Sequence, residues 1–413
     1  MIYHGEPLDL MPTLDLAETY PLLECTLSLT HPIDVARLKT AVATTQTVVP
    51  QVLGRYNLRW NRFEDAADSL DQVIEEIPAI HDPGRGNLDV LTGPQLKIQV
   101  IHHPAYDALR LSMSRLLTDG EGFKHYLYLL AAAYDGEDLA NFTNERSVHK
   151  ILAHLRHPHR ALPTLNGNSD ETFPSLQGDV HHHRGEATIP RVVSRRLRQR
   201  TQTENVTMNA MLLSAYALSL FALTGEKRLV IPYQVDLRLH GPVAASNVVQ
   251  VANLTSEMPI PITVEDGDRL GDVIQHTQAT ISRLRDELAY LPPLVELNRM
   301  SRALPPQLVR RLAEKHRPQA AISFANFGHI DHTRLDFGGV AVTQIYFAGA
   351  YRTMPHFQLT VSVYHDAWTL AFRMLGSEPD YQLGIKILKN VVAQLTQWAR
   401  EEVPDNCRLA DEG

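Results

Sequence analysis

The sequence predicts a mixed α/β (α+β) protein folded in two lobes, and three observations carry that expectation. The chain has 413 residues, two to three times an ordinary domain, with 44% hydrophobic against 21% charged residues, the balance of a packed chain. Segments of period-two alternation are interleaved with segments that repeat every three or four residues. Between 156 and 190 both patterns lapse into prolines, glycines and the run His181-His182-His183, which reads as a linker. The expected organisation is an N-terminal lobe over 1–160, a linker over 161–190 and a C-terminal lobe over 191–413.

Residues 22–29, LLECTLSL, put Leu23, Cys25, Leu27 and Leu29 on one face and Glu24, Thr26 and Ser28 on the other, as in a half-buried strand. His31-Pro32 ends it, and a helix over 32–47 turns Ile33, Leu38, Ala41 and Val42 inward. Strands are expected near 51–60 and 96–103, and over 108–117, where Leu109, Leu111 and Met113 share a face. After Thr118-Asp119-Gly120, Phe123, Tyr126, Leu127, Leu130 and Tyr134 recur at helical steps as far as Asp135-Gly136. Further helices are expected over 206–223 and 268–289, with strands over 228–237 and 247–254. Residues 357–364 and 368–374 alternate on either side of His365-Asp366-Ala367, a hairpin. A last helix over 380–400 places Tyr381, Ile385, Leu388, Val392 and Leu395 on one side.

Charge and cysteine usage exclude several classes. With 39 basic and 47 acidic residues the formal charge is −8, which speaks against nucleic acid as a partner. Cys25 and Cys407, at opposite ends, form neither a disulfide framework nor a metal-ligand spacing. The N-terminal stretch lacks the basic and apolar regions of a signal peptide, and no run of eighteen apolar residues occurs, so a cytoplasmic protein without a membrane span is expected. The sequons at Asn141, Asn205 and Asn253 then carry no meaning.

His102-His103, followed by Asp107, has the composition of a base with an orienting acid, but Pro104 makes a hairpin turn the better reading. His154, His157 and His159, like His181 to His183, lack an acid or cysteine at ligand spacing and read as solvated loop; no metal is expected. The basic run Arg195-Arg196-Leu197-Arg198-Gln199-Arg200 reads as a solvated helix face, with phosphate contact as its functional counterpart.

Residues 108–136, ALRLSMSRLLTDGEGFKHYLYLLAAAYDG, carry the most information. Here the chain resembles the condensation-domain and alcohol acetyltransferase superfamily, which shares the chloramphenicol-acetyltransferase-like fold and places HHxxxDG at this strand-to-helix junction. The motif reads Ser114-Arg115-Leu116-Leu117-Thr118-Asp119-Gly120: the Asp-Gly half is kept and both histidines are replaced. IPYQVDLR at 231–238, VVQVANLTSEMP at 248–259 and AISFANFGHID at 321–331, with Ala325 for serine, resemble further family segments in the same order.

The resemblance implies mixed sheets flanked by helices, with a tunnel between two lobes. An acyl donor, as an acyl-CoA or carrier-protein phosphopantetheine thioester, would enter from one side and an alcohol or amine from the other. A carrier protein is then a candidate partner, and no tightly bound cofactor is implied. Arg115 occupies the position of the family's catalytic histidine, and a guanidinium cannot serve as a general base. Ser114 replaces the first histidine, and His356 is the candidate substitute base; His125 is expected to face away. Asp119 and Arg238 would pair across the lobes beside Gly120, while capping of the following helix is the alternative for Asp119. Asn253, Asn326 and Gly328 are the tunnel-lining candidates. Two functions remain open: acyl transfer by an altered mechanism, or a catalytically inactive relative that binds a small molecule or a partner.

Overall fold

The computed structural model describes all residues except 15, 17, 67–68, 156–172, 317–319 and 402–413, so His157, His159, Cys407 and the first part of the expected linker lie outside the described residues. The principal strands of the two sheets, and of a two-stranded ribbon (β7, β8) in the core of the second, are β1 (Thr19–Tyr20), β2 (Leu22–Leu29), β3 (Ile74–Pro78), β4 (Leu96–His102), β5 (Asp107–Ser114), β6 (His181–Ile189), β7 (Arg228–Asp236), β8 (Thr255–Thr263), β9 (Ile322–His329), β10 (Val340–Ala348), β11 (Tyr351–Thr353), β12 (Phe357–Tyr364) and β13 (Ala367–Gly376). The principal helices are α1 (Val35–Thr45), α2 (Gly120–Asp135), α3 (Arg191–Thr203), α4 (Met208–Thr224), α5 (Leu270–Asp286), α6 (Leu291–Ala303), α7 (Pro306–His316) and α8 (Glu378–Trp398).

The first sheet runs β10-β2-β5-β4-β3, with the short strand Asp336–Phe337 outside β10, and the second β9-β12-β13-β11-β1, with β6 alongside β13. Each sheet borrows a strand from the far part of the chain. β10 lies antiparallel to β2, with Ile345 opposite Leu27 and Phe347 opposite Cys25. β1 pairs with β11, setting Tyr20 opposite Tyr351. Residues 340–348 thus lie in the first sheet, and Thr19 and Tyr20 extend the second. The two cores record the same exchange: Phe347 packs with Leu111, Phe123 and Tyr126, whereas Leu8 and Leu10 join Tyr216, Phe357, Trp368 and Leu395.

The local rules of the sequence account for most elements. Asp34 caps α1 by accepting from the Arg37 amide, and its Leu38, Ala41 and Val42 are buried. α2 ends at Gly136, whose φ of 87° is the left-handed cap. The β12–β13 turn places His365 and Asp366 at φ 47° and 65°, as a two-residue hairpin loop requires. Asp107 of β5 faces His102 of β4, so His102-Pro104 lies at a hairpin turn; the His102 ring bonds Asp107 and Glu76, both at 2.9 Å.

Several expectations need correction, among them the strand over 247–254, where only Val248–Val249 pairs as a strand and β8 begins at Thr255. Residues 181–189 of the expected linker form β6, an edge strand along β13 whose outward residues leave its composition polar. His181 to His183 thus open a strand; His183 stacks on Tyr381 and His182 meets Tyr351 edge-on. β5 stops at Ser114, and Leu116 and Leu117 are buried in the turn beyond it. The second lobe buries Glu24 on the polar face of β2, while Thr26 and Ser28 stay half-buried. The buried side of α8 is Gly384, Ile387, Leu388, Val391, Leu395 and Trp398, offset from the expected stripe; a Cβ at Gly384 would stand 2.6 Å from the Phe372 ring, so helix and sheet touch there. Among the described residues no single helix is long and apolar enough to cross a membrane.

Candidate functional site

The junction from β5 to α2 is a tight turn. The Arg115 amide donates to Pro21 O at 2.8 Å, and the Leu116 amide donates to Ser114 Oγ at 3.2 Å. Ser114 is fully buried and its hydroxyl is engaged by the turn itself. Leu116 and Leu117 anchor the turn in the core of the first lobe.

Asp119 carries both roles that the sequence leaves open. Its Oδ1 accepts from the Gly122 amide at 2.9 Å, capping α2. Arg238 meets it bidentately at 2.9 and 3.0 Å, and Oδ2 also accepts from the Leu254 amide at 2.7 Å and the Thr255 hydroxyl at 2.8 Å. Burial works against its charge, but the Arg238 cation and these donors hold the carboxyl down at about 2. Arg238 further donates to Gln250 O and Ala252 O, so the pair fastens residues 250–255 across the start of α2. That crossing explains the two glycines there. A Cβ at Gly120 would lie 2.4 Å from the Phe327 ring, and one at Gly122 would lie 2.8 Å from Gln250 O. His125, away from the Phe123, Leu127 and Leu130 side of α2, faces this crossing: its Nδ1 accepts from the Gln250 amide at 3.0 Å. Burial and the nearby Arg238 charge lower its pKa to about 4.

Arg115 is half-buried, and its guanidinium donates to Asn253 Oδ1 at 3.0 Å. Asn253 is buried beneath the turn, its amide donating to Arg115 O at 3.0 Å and Asp9 Oδ1 at 2.9 Å. Asp9 also accepts from Arg146 at 2.8 Å and from the Glu6 amide at 2.7 Å. It is fully enclosed, and burial raises its pKa; burial and the neighbouring Asp9 charge likewise push Glu6 up to about 7. The N-terminal turn Pro7–Thr13 is thereby tied to Arg146 and to the crossing chain, beside Arg115. Sequence reasoning missed Asp9, Glu6 and Arg146. An acid between Leu8 and Leu10 was the only local sign, since burying a carboxylate there requires a cation from elsewhere.

The remaining candidates divide. Asn326 donates to Asn209 Oδ1 at 2.7 Å and accepts from the Gly328 amide at 2.8 Å, on the strand that presents Phe327 to Gly120. Gly328 has φ 67° and lies near the Lys124 ammonium, which donates to His329 O. His356 binds Thr353 O through Nδ1 at 3.2 Å, at the entrance to β12. The structure thus brings Arg115, Asn253 and Asp119 together at one turn, sets Asn326 and Gly328 on β9 beside the start of α2, and leaves His356 just before β12.

A second charged tie joins the sheets. Glu24 of β2 pairs with Arg373 of β13 and lies 3.3 Å from the Arg110 Nε of β5; Arg110 holds Asp82 by two bonds. The alternation of β2 offered Glu24 to solvent, so nothing local marked it as buried.

No family model and no curated protein sequence matches the chain. Solved structures do. The trichothecene 15-O-acetyltransferase from Fusarium sporotrichioides superposes with a TM-score of 0.68 at 12% identity, covering 96% of this chain and 95% of that one. The first condensation domain of the CDA synthetase gives 0.68 at 12% identity, covering 97% of each chain. The starter condensation domain of rhizomide synthetase, solved with C8-CoA and Leu-SNAC, gives 0.63 at 12% identity, covering 97% of this chain and 95% of that one. Likeness at this identity speaks for architecture alone. With its two sheets, their exchanged strands and the motif turn between them, the chain has the two-lobed chloramphenicol-acetyltransferase-like fold of condensation domains and the trichothecene acetyltransferase.

Proposed function

We propose that the chain is an acyl-transfer protein. It takes an acyl thioester, on coenzyme A or a carrier protein's phosphopantetheine arm, and passes the acyl group to an alcohol or amine between the lobes. The observation that carries this reading is Arg115, half-buried at the motif turn with its guanidinium aimed by Asn253. A guanidinium stays protonated and takes no proton from the acceptor. It serves instead as a fixed cation for the carbonyl oxygen, which gains negative charge as the acceptor adds to the thioester; as the C–S bond breaks, the departing sulfur takes up the acceptor's proton and leaves as the free thiol. Absence of a positioned base costs about 10²–10⁴ in rate. Holding donor and acceptor together offsets that loss by up to roughly 7–11 kcal/mol of barrier.

A second reading is favoured by the same residue. Since Arg115 cannot act as the base and Asp119 with Arg238 maintains the turn regardless, the chain also fits a catalytically silent protein that binds an acyl thioester or its carrier. Thiol release from a panel of acyl-CoA donors, with pooled alcohols and amines, separates the two. Acyl transfer predicts acceptor-dependent release that Arg115→Met reduces at least about tenfold. Silence from a cooperatively folded parent, with release appearing in Arg115→His, overturns transfer and leaves the binding protein.

A further inference from the structure

Between β3 and β4, residues 82–88 form an irregular strap over the face of the first sheet that looks toward the second. Its ties to the rest of the protein run through side chains. Arg110 grips the Asp82 carboxylate at 2.6 and 2.8 Å, and the Gly86 amide donates to Glu24 Oε2 at 3.0 Å. Arg184 donates to Gly84 O at 3.3 Å and Tyr20 to Leu88 O at 2.7 Å. The strap alternates exposed and half-buried residues up to Asn87 and turns at Gly84, φ 71°. The side chain of Arg110 is 1% exposed, that of its partner Asp82 20%. Beneath Gly86 lies the Ser112 hydroxyl, buried and without a hydrogen-bond partner; a Cβ at Gly86 would stand 1.8 Å from it.

We infer that Arg110 and Ser112 form a binding site for a carboxylate or phosphate group, which Asp82 fills as an internal stand-in until a ligand displaces the strap. Two guanidiniums share this interior, and Glu24 balances one of them. Asp82 supplies the second negative charge, from a segment with no backbone ladder of its own. The planar fork of Arg110 matches a carboxylate or phosphate edge as it matches Asp82. Ser112 is a donor that the two oxygens of Asp82 leave unused and that a further ligand oxygen would take. Anion capture of this kind does not depend on acyl transfer.

The test is Asp82→Asn, titrated with succinate and with inorganic phosphate against chloride at matched ionic strength, following the unfolding temperature and the heat of binding. With the stand-in neutralised, the variant binds at least about tenfold more tightly than the wild type, whose apparent affinity is reduced by the fraction of molecules with the strap closed. The succinate and phosphate arms show which anion fits. Adding Ser112→Ala weakens binding severalfold, and adding Arg110→Gln abolishes it. An Asp82→Asn protein that responds to succinate and phosphate no more than to chloride overturns the proposal. So does a response left unchanged by Ser112→Ala, which also serves if the Arg110→Gln double variant does not fold.

Discussion

Asp119 is bonded to the Gly122 and Leu254 amides, the Thr255 hydroxyl and Arg238, and each bond fixes a different part of the motif turn. Replacing it by alanine leaves Arg238 buried without its bidentate partner, and loss of one member of such a pair costs about 3–5 kcal/mol. Urea unfolding of Asp119→Ala at neutral pH should show that loss. The acid limb follows from the same carboxyl. Its folded pKa is depressed from 3.8 to about 2, so its stabilisation is present above 3.8 and disappears as pH falls through about 2. The wild type should therefore lose about 2 kcal/mol over that window, and the variant should lack this limb. At this scale the sequence was legible where partner and motif both had a recognisable setting, as for Asp119 and Arg238. It was silent for Asp9 and Glu24, whose partners Arg146, Arg110 and Arg373 lie far along the chain and are brought near only by packing.

α2 begins Gly120-Glu121-Gly122, a poor start by helix propensity, since glycine costs about 1 kcal/mol against alanine in a helix. The cause is the chain lying across it: Cβ positions at 120 and 122 are claimed by Phe327 and by the backbone at Gln250 and Ala252. Gly122→Ala should thus destabilise by about 1–3 kcal/mol, the usual range for overpacking, despite alanine's better propensity. Chemical denaturation measures the sign directly. Periodicity located β2, β4, β5, the β12–β13 hairpin and most helices, because each carries its own alternation or stripe. It missed β6, a polar edge strand, and β10, whose mixed pattern makes sense only against β2. Strand pairing between distant segments leaves no local trace, which is why the exchange of strands between the sheets was not legible.

On the scale of the whole molecule, the two sheets are completed by each other's part of the chain, and Asp119–Arg238 and Glu24–Arg373 tie them together. Fragments 1–155 and 173–401, produced separately, should each lack cooperative unfolding, and produced together they should associate into a protein with the circular dichroism of the intact chain. Two independently folded fragments would contradict the exchange. The placement of β10 also has a consequence in time. During synthesis at roughly 5–20 residues per second, on the order of ten seconds or more separates the emergence of β5 from that of β10. For that interval the Leu22–Leu29 strand presents an open apolar edge to whatever else the cell is making. The yield of folded protein should accordingly depend on how well nascent chains are shielded, and slower translation of the segment before β10 should lower it.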